Sequence, residues 1–256
     1  WVQNQRNSRH GIEYAYYTHL DMEQYYQRYC ETLLAVDDSV GELMHWLDES
    51  GESENTLVLY MGDNGFLFGE HGLIDKRNAY EESMRIPLMV KFPGVVSKGL
   101  KVPSMVANID IAPTLLDVAG VRIPEHMDGR SFSPMLKGKN TPWRQYLLYE
   151  YFWERNYPQT PTTHSLRGDR FKYIRYHGIW DKDELYDLES DPDELQNLIR
   201  EPQHQSRIKD MNRVLFDMLE LSKGKEIPLQ RDRGTQFFHR AAGGSSASGF
   251  TSDFYQ

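Results

Sequence analysis

Asp63 and Asn64 carry hard oxygen atoms and stand just after a short apolar run, Thr56-Leu57-Val58-Leu59-Tyr60-Met61. Such a run is typical of a strand buried on both faces, and ligands of open α/β sheets bind at the carboxyl ends of strands. Carboxylate and amide oxygens are the ligands that Ca²⁺ and Mg²⁺ prefer. The alternative is that Asp63-Asn64-Gly65 is only a turn, because these residue types tolerate left-handed backbone and often end strands.

Three more polar side chains follow within thirteen residues of Asp63, namely His71, Asp75 and Lys76. A lysine beside a metal-binding loop can hold an anion. Lysines in general lie at the surface, however, and a lone histidine is more often a hydrogen-bonded structural residue. Spacing does not decide between an anion site and an ordinary loop.

The elements that must position this loop have the pattern of an α/β protein. From Met22 to Leu47 apolar residues recur at steps of four and three, which predicts a helix with a narrow apolar stripe. We expect Gly41 to interrupt this helix and the stripe to pack on a sheet rather than in a coiled coil. The runs 56–61 and 86–92 predict strands of a mostly parallel sheet, and 110–119 predicts a helix closed by Gly120.

Beyond Trp143 the sequence changes to short, aromatic-rich segments separated by polar turns, at 146–152, 171–176 and 184–188. These segments predict a small antiparallel sheet. A helix is expected to cover that sheet, because apolar residues recur at helical spacing at Ile208, Met211, Leu215 and Met218.

Three domains are predicted from these patterns: the α/β part at 1–143, the antiparallel subdomain at 144–222, and an extended or mobile tail at 223–256. The tail contains a glycine- and serine-rich stretch at 243–249 that is too poor in apolar groups to pack.

Composition excludes two broad classes of protein. The 256 residues carry 29 Lys and Arg against 38 Asp and Glu, a net charge of −9 with no basic tract, which argues against a primary nucleic-acid binder. The mean hydropathy is −0.67, and no apolar run approaches the ~20 residues that a membrane span needs. Cys30 is the single cysteine, which excludes an internal disulfide and a cysteine-based zinc cluster.

Several motifs follow one another between Tyr60 and Gly94. They are Asp63-Asn64-Gly65, Gly69-Glu70-His71-Gly72, Lys76, Tyr80-Glu81-Glu82-Ser83, Arg85-Ile86-Pro87 and Phe92-Pro93-Gly94. Segment 29–41 precedes them, and 108–117, 127–131, 167–174 and 184–192 follow them. In this order, over about residues 20–200, the motifs closely resemble the sulfatase family of the alkaline-phosphatase-like superfamily.

The resemblance implies a sulfuric ester hydrolase with a formylglycine nucleophile and one bound Ca²⁺, Mg²⁺ being the second choice. Asp63 and Asn64 match two of the family's calcium ligands, and Lys76 matches the lysine that contacts the sulfate. A divalent cation and an ammonium together would neutralise the sulfate and the charge that builds up during displacement at sulfur. His71 lies between them and is expected to assist catalysis by orienting the loop or the leaving group.

The nucleophile is where this sequence departs from the family, whose formylglycine is made in a Cys/Ser-x-Pro-x-Arg motif. Cys30 is followed by Glu31-Thr32-Leu33-Leu34, and Ser131 by Phe132-Ser133-Pro134-Met135, so neither fits. Asp37-Asp38 lies within the predicted helix rather than at a strand end. We therefore expect the nucleophile, the first calcium ligands and an export signal to lie upstream of Trp1, and the chain alone to be inactive.

The longer protein would be a client of the formylglycine-generating enzyme and would be periplasmic, secreted or lysosomal. Its expected substrate is a sulfated small molecule or glycan, with neither nucleic acid nor a membrane as partner. A sugar cleft could be lined by Trp153, Arg155, Tyr157, His164 and Arg167, of which His164 and Arg167 are the substrate-binding candidates. The plainer interpretation is that these residues pack the sheet or lie at the surface.

Two other functions remain open at this stage. One is a phosphatase or phosphonate monoester hydrolase of the same superfamily, because a metal with a lysine also serves phosphate. The other is a binding module that keeps an anion pocket without turnover.

Overall fold

The computed structural model describes residues 21–153, 160–177 and 182–224. Arg155, Tyr157 and nearly all of the predicted tail lie outside those ranges. The helices are α1 (Met22–Glu49), α2 (Glu81–Met84), α3 (Ile111–Val118), α4 (Ser133–Leu136) and α5 (Gln205–Leu221). The strands are β1 (Val58–Met61), β2 (Leu67–Phe68), β3 (Ile74–Asp75), β4 (Leu88–Lys91), β5 (Tyr146–Tyr151), β6 (Thr163–Gly168), β7 (Phe171–Tyr176) and β8 (Glu184–Asp187).

This set of elements confirms the predicted mixed α/β class with a C-terminal antiparallel sheet. Short 3₁₀ turns occur at Ser53–Asn55, Glu70–Gly72, Asn108–Asp110 and Pro202–His204. Within the described ranges, every helix is too short or too polar to cross a membrane.

The chain divides into two compact units that interleave along the sequence. Unit 1 contains Trp1–Thr32, Gly65–Arg85 and Leu148–Gln256, and unit 2 contains Leu33–Asn64 and Ile86–Leu147. Asp63 and Asn64 therefore belong to unit 2, whereas His71 and Lys76 belong to unit 1. The consecutive domains at 1–143, 144–222 and 223–256 stay a prediction.

Unit 1 contains the four-stranded sheet, in the order β5-β6-β7-β8, except for the first two residues of β5, Tyr146 and Leu147. β7 pairs antiparallel with both β6 and β8, with Tyr173 opposite Leu166 on one side and Leu185 on the other. As predicted, α5 packs on this sheet, against β6 and β7. The small β2–β3 hairpin shares the core of this unit, which contains Leu67, Leu73, Ala79, Tyr80, Ile174, Tyr176 and Tyr186.

Unit 2 contains β1 and β4, which share one sheet as predicted. They pair antiparallel, with Val58 opposite Lys91, where the sequence predicted a mostly parallel sheet. The segment between them contains a hairpin and a one-turn helix instead of a crossover helix lying along the sheet, and the chain returns in the reverse direction. The predicted helix at 110–119 forms as a 3₁₀ turn followed by α3, and Gly120 ends it with φ of +70°.

Helix α1 is continuous from Met22 to Glu49, so the interruption predicted at Gly41 does not occur. The prediction that its stripe packs on the sheet is also wrong for most of its length, since Leu47 is buried while Tyr26 and Leu43 are half exposed. A 28-residue helix is about 42 Å long, whereas strands of four residues extend only about 13 Å. The two strands therefore offer too little surface to cover the stripe.

Candidate active site

The Asp63-Asn64 pair follows β1 after a single intervening glycine. The Asp63 side chain is exposed, and its Oδ1 accepts a hydrogen bond of 2.9 Å from the backbone N–H of Asn64. A carboxylate that is exposed and held by its own turn at the end of a strand is accessible to a cation from solvent. The position after a strand is the one that the sequence predicted, and the role of Asp63 and Asn64 as metal ligands stays a prediction.

Gly65, the third residue of the motif, is required by close packing rather than by backbone handedness. A Cβ at this position would lie 1.9 Å from the carbonyl oxygen of Glu82. The Gly65 N–H donates to the Ser83 carbonyl at 2.9 Å, and its φ lies outside the left-handed region. A left-handed backbone, which the turn interpretation invoked, is therefore not the reason for a glycine here. Gly65 instead lets two backbone segments of unit 1 come into contact.

The loop before Lys76 contains four residues with positive φ: Gly69 (+121°), His71 (+55°), Gly72 (+69°) and Asp75 (+100°). Non-glycine residues in this region are uncommon and cost about 1–3 kcal/mol each, and they concentrate at functional sites. The buried Asp75 carboxylate forms an ion pair with Arg77. The half-buried Lys76 accepts a hydrogen bond from Ser83 Oγ through its backbone carbonyl, so the loop is fixed on both sides of the lysine.

His71 is held by ring stacking. Its imidazole lies parallel to the ring of Tyr80, with centroids 3.8 Å apart and an interplanar angle of 12°. Its Nε2 lies 3.5 Å from Glu82 Oε2, and the side chain is 10% exposed. These contacts join the 3₁₀ turn at 70–72 to the start of α2.

A buried charge network next to this histidine was not found from the sequence. The ammonium of Lys172 is fully buried and lies 3.0 Å from Glu81 Oε1 and 2.7 Å from Glu194 Oε1. Arg167 also pairs with Glu81, at 3.2 Å. Although burial opposes ionisation of Glu81, Lys172 and Arg167 lower its pKa, whereas burial dominates at Glu194 and raises its pKa to about 7.

The two substrate-binding candidates after Trp143 have protein partners. His164 is buried, and its Nδ1 lies 2.7 Å from Nε2 of His177. Burial, with a contribution from His177, lowers the pKa of His164 to about 4. Arg167 forms an ion pair with Glu81, the residue next to Glu82, which lies beside His71. Substrate roles for His164 and Arg167 stay predictions, as does the convergence of Asp63, Asn64 and Lys76.

Two protein-family models match the chain. The model described as N-sulphoglucosamine sulphohydrolase, C-terminal, matches residues 69–220, and the model described as Sulfatase matches residues 3–121. The first covers more than half of the chain, and both include the His71–Lys76 loop.

Similar proteins and structures agree with these matches. The chain is 36% identical over 202 residues to an N-acetylglucosamine-6-O-sulfatase of Bacteroides thetaiotaomicron, covering 75% of this chain and 35% of that protein. It is similar to a structure solved in complex with its substrate D-glucosamine-2-N,6-O-disulfate, with a TM-score of 0.76, 32% identity and coverage of 82% of this chain and 43% of that one. It is also similar to the phosphonate monoester hydrolase of Agrobacterium radiobacter, with a TM-score of 0.65, 26% identity and coverage of 73% and 39%. The chain thus spans less than half the length of each of these relatives.

Proposed function

Because the chain belongs to the sulfatase family of the alkaline-phosphatase-like superfamily, we propose that it supplies part of the active site of a hydrolase that removes sulfate from sulfated glucosamine-type sugars. The observation that carries this proposal is the similarity over most of the chain to a structure containing such a sugar. The His71–Lys76 loop supports it, because a strained loop that ends in a lysine is suited to holding an anion in a fixed place.

Asp63 and Asn64 are proposed as ligands of a Ca²⁺ ion. Their oxygen atoms fit a hard cation, and the exposed turn leaves the Asp63 carboxylate open to it. Ca²⁺ takes about 6–8 oxygen ligands, so these two side chains would form only part of its shell. When bound, the ion would withdraw electron density from the sulfate oxygens.

Lys76 is proposed as the residue that binds the sulfate. An ammonium donates hydrogen bonds to anionic oxygens and stabilises the charge that grows on them as the ester bond breaks. We propose that His71 acts as a positioning residue, because its stacking on Tyr80 and its approach to Glu82 hold the loop five residues before Lys76.

The formylglycine nucleophile is not assigned to these 256 residues. Cys30 lies in α1 and lacks the proline and arginine that the modification motif requires. We propose that the chain alone does not hydrolyse sulfate esters and that turnover needs a nucleophile from a longer protein. Export of that protein and its modification by a formylglycine-generating enzyme stay predictions.

Ligand binding tests the proposal without requiring turnover. N-acetylglucosamine 6-sulfate and its unsulfated parent are titrated into the purified chain with Ca²⁺ present, and binding is followed by ligand-observed NMR. We expect only the sulfated sugar to bind, and Lys76→Ala to weaken it about tenfold or more, as for the loss of a charged hydrogen bond. Lys91→Ala, which removes an exposed lysine from β4, is the matched control. Equal binding of the two sugars, or an unchanged affinity in Lys76→Ala, would contradict the proposal.

The similarity to a phosphonate monoester hydrolase supports a second candidate, hydrolysis of phosphonate or phosphate esters. Adding a phenyl phosphonate ester to the same titrations separates the two. Preference for the phosphonate over both sugars, again dependent on Lys76, would favour the second candidate.

A further inference from the structure

Ser83 lies in the one-turn helix α2 and is bonded to two other segments of unit 1. It is buried, and its Oγ donates a hydrogen bond to the backbone carbonyl of Lys76. Its own carbonyl accepts a hydrogen bond of 2.9 Å from the N–H of Gly65, the residue that follows Asn64. One residue is therefore bonded both to the lysine proposed to bind sulfate and to the backbone next to a proposed calcium ligand.

The bond from Ser83 acts on the part of Lys76 that directs its side chain. Peptide groups are planar, so a bond that holds the carbonyl of Lys76 restricts rotation between its Cα and its carbonyl carbon. The preceding residue, Asp75, has a φ of +100° and pairs with Arg77. L-residues rarely adopt such a backbone, which persists only where the surroundings impose it. The direction in which the Lys76 ammonium leaves the loop therefore depends on Ser83.

Helix α2 does not fix Ser83 by itself, because it has only four residues and an isolated turn of helix is unstable in water. Its first residue is anchored elsewhere. The Glu81 N–H donates a hydrogen bond of 2.7 Å to Glu194 Oε2, and the Glu81 carboxylate lies 3.0 Å from the Lys172 ammonium. Lys172 and Glu194 are fully buried and pair at 2.7 Å. A charge pair from β7 and the turn after β8 thus holds the helix that carries Ser83.

We propose that Ser83 is a positioning residue for the Lys76 ammonium, and that the Lys172–Glu194 pair acts on the sulfate site through it by anchoring α2. The inference rests on the proposed function in one respect, namely that Lys76 binds the sulfate. A buried ion pair stabilises a fold little better than apolar residues of the same volume. A geometric role therefore accounts for this pair better than stability does.

Two readouts on the full chain test the proposal. The first is the affinity for N-acetylglucosamine 6-sulfate, measured with Ca²⁺ present by ligand-observed NMR. The second is the Cε signal of Lys76 in a chain labelled with ¹³C-lysine, assigned by its loss in Lys76→Arg. In Ser83→Ala we expect the affinity to fall about fivefold, as for the loss of one hydrogen bond, and the Cε signal to move towards that of an unrestrained lysine.

Thr114→Val is the matched control. Thr114 is also buried, and its hydroxyl donates to the Asp110 carbonyl at 2.7 Å and accepts from the Phe132 N–H at 3.0 Å. It lies in unit 2, in α3. This variant should lower the thermal midpoint at least as much as Ser83→Ala and leave both the sugar affinity and the Lys76 signal unchanged.

Substitutions of Glu194 test the anchor separately from Ser83. Glu194→Ala removes the acceptor of the Glu81 N–H and should weaken sugar binding, whereas Glu194→Gln keeps an acceptor oxygen and should weaken it less. This comparison also decides the question if Ser83→Ala does not fold, because equal affinities in the two Glu194 variants would overturn the proposal.

The remaining outcomes separate this inference from the proposed function. If Lys76→Ala weakens sugar binding while Ser83→Ala changes neither the affinity nor the Lys76 signal, only the positioning role fails. If Thr114→Val weakens binding as much as Ser83→Ala, the effect is one of stability and the positioning role again fails. An unchanged affinity in Lys76→Ala would overturn the proposed function and this inference with it.

Discussion

Replacing Lys172 with methionine removes a buried charge while keeping a side chain of similar length. In the native chain its ammonium lies 3.0 Å from Glu81 Oε1 and 2.7 Å from Glu194 Oε1. Glu81 keeps Arg167 at 3.2 Å in the variant, so it retains a cation. Glu194 is fully buried and loses the ammonium beside it, which makes it the group that must respond.

Removing one partner of a buried ion pair costs about 3–5 kcal/mol, which corresponds to about 10 °C in thermal midpoint for a chain of this size. Burial already raises the pKa of Glu194 to about 7 with Lys172 present, and Lys172→Met should raise it further. The folded variant then keeps a proton that the unfolded chain, with an ordinary glutamate pKa of about 4.3, releases. Its free energy of unfolding should therefore fall as the pH rises through about 5–8.

Urea unfolding followed by circular dichroism at pH 5.5 and 8, with a chelator present, measures this effect. The control is Lys209→Met, which removes an exposed lysine from α5 and should change stability little. The double variant Lys172→Met/Glu194→Gln should recover stability at pH 8, because a neutral amide needs no cation. A loss below about 1 kcal/mol at pH 8, or an equal loss at both pH values, would refute a charged Lys172–Glu194 pair.

Three further predictions concern other parts of the chain. Gly65→Ala should lower the free energy of unfolding by about 1–3 kcal/mol in urea, because its Cβ would lie 1.9 Å from the Glu82 carbonyl oxygen; an unchanged midpoint would mean that the segments separate at no cost. Asp110→Asn should cost about 3–5 kcal/mol, since Asp110 is fully buried and binds the Arg144 guanidinium through both oxygens; the exposed-site variant Asp117→Asn is its control. The pKa of His164 is about 4 in the folded chain and about 6.5 in the unfolded chain, so the free energy of unfolding should fall as the pH drops from about 6.5 to 4. The fall should be smaller in His164→Asn. Parallel curves of unfolding free energy against pH for the two proteins would contradict this.

Apolar periodicity predicted most of the elements, because burial of one face repeats at the pitch of a helix or a strand. It found α1, α5 and the strands β1 and β4, whose apolar runs are local in sequence. It failed for β6, which is largely polar in sequence, although its residues from Thr163 to Leu166 are all buried. Their burial depends on α5 and neighbouring strands, which no local pattern shows.

Lys172 was missed for the same reason. In β7 it lies between the aromatic residues Phe171 and Tyr173. This alternation predicts that the aromatic rings are buried on one face and the lysine is exposed on the other, yet both faces of this strand are buried. Its partner Glu81 lies 91 positions away, and spacing cannot reveal a pairing over that distance. The position of the lysine becomes understandable only when its carboxylate partners are known.

The motif residues fall into two groups when their surroundings are compared. The fold explains the residue types at Gly65, His71 and Glu82. Gly65 leaves room for the backbone at Glu82, His71 stacks on Tyr80, and Glu82 lies beside the His71 ring. Asp63 is exposed, and packing alone does not require a carboxylate at that position, whereas Lys76 is half-buried and makes contacts of its own. A family resemblance therefore singles out motif residues without assigning roles to them, since residues that hold the loop are as recognisable as residues that bind a ligand. By this comparison a chemical role is best sought at Asp63, and positioning roles at the residues with buried partners.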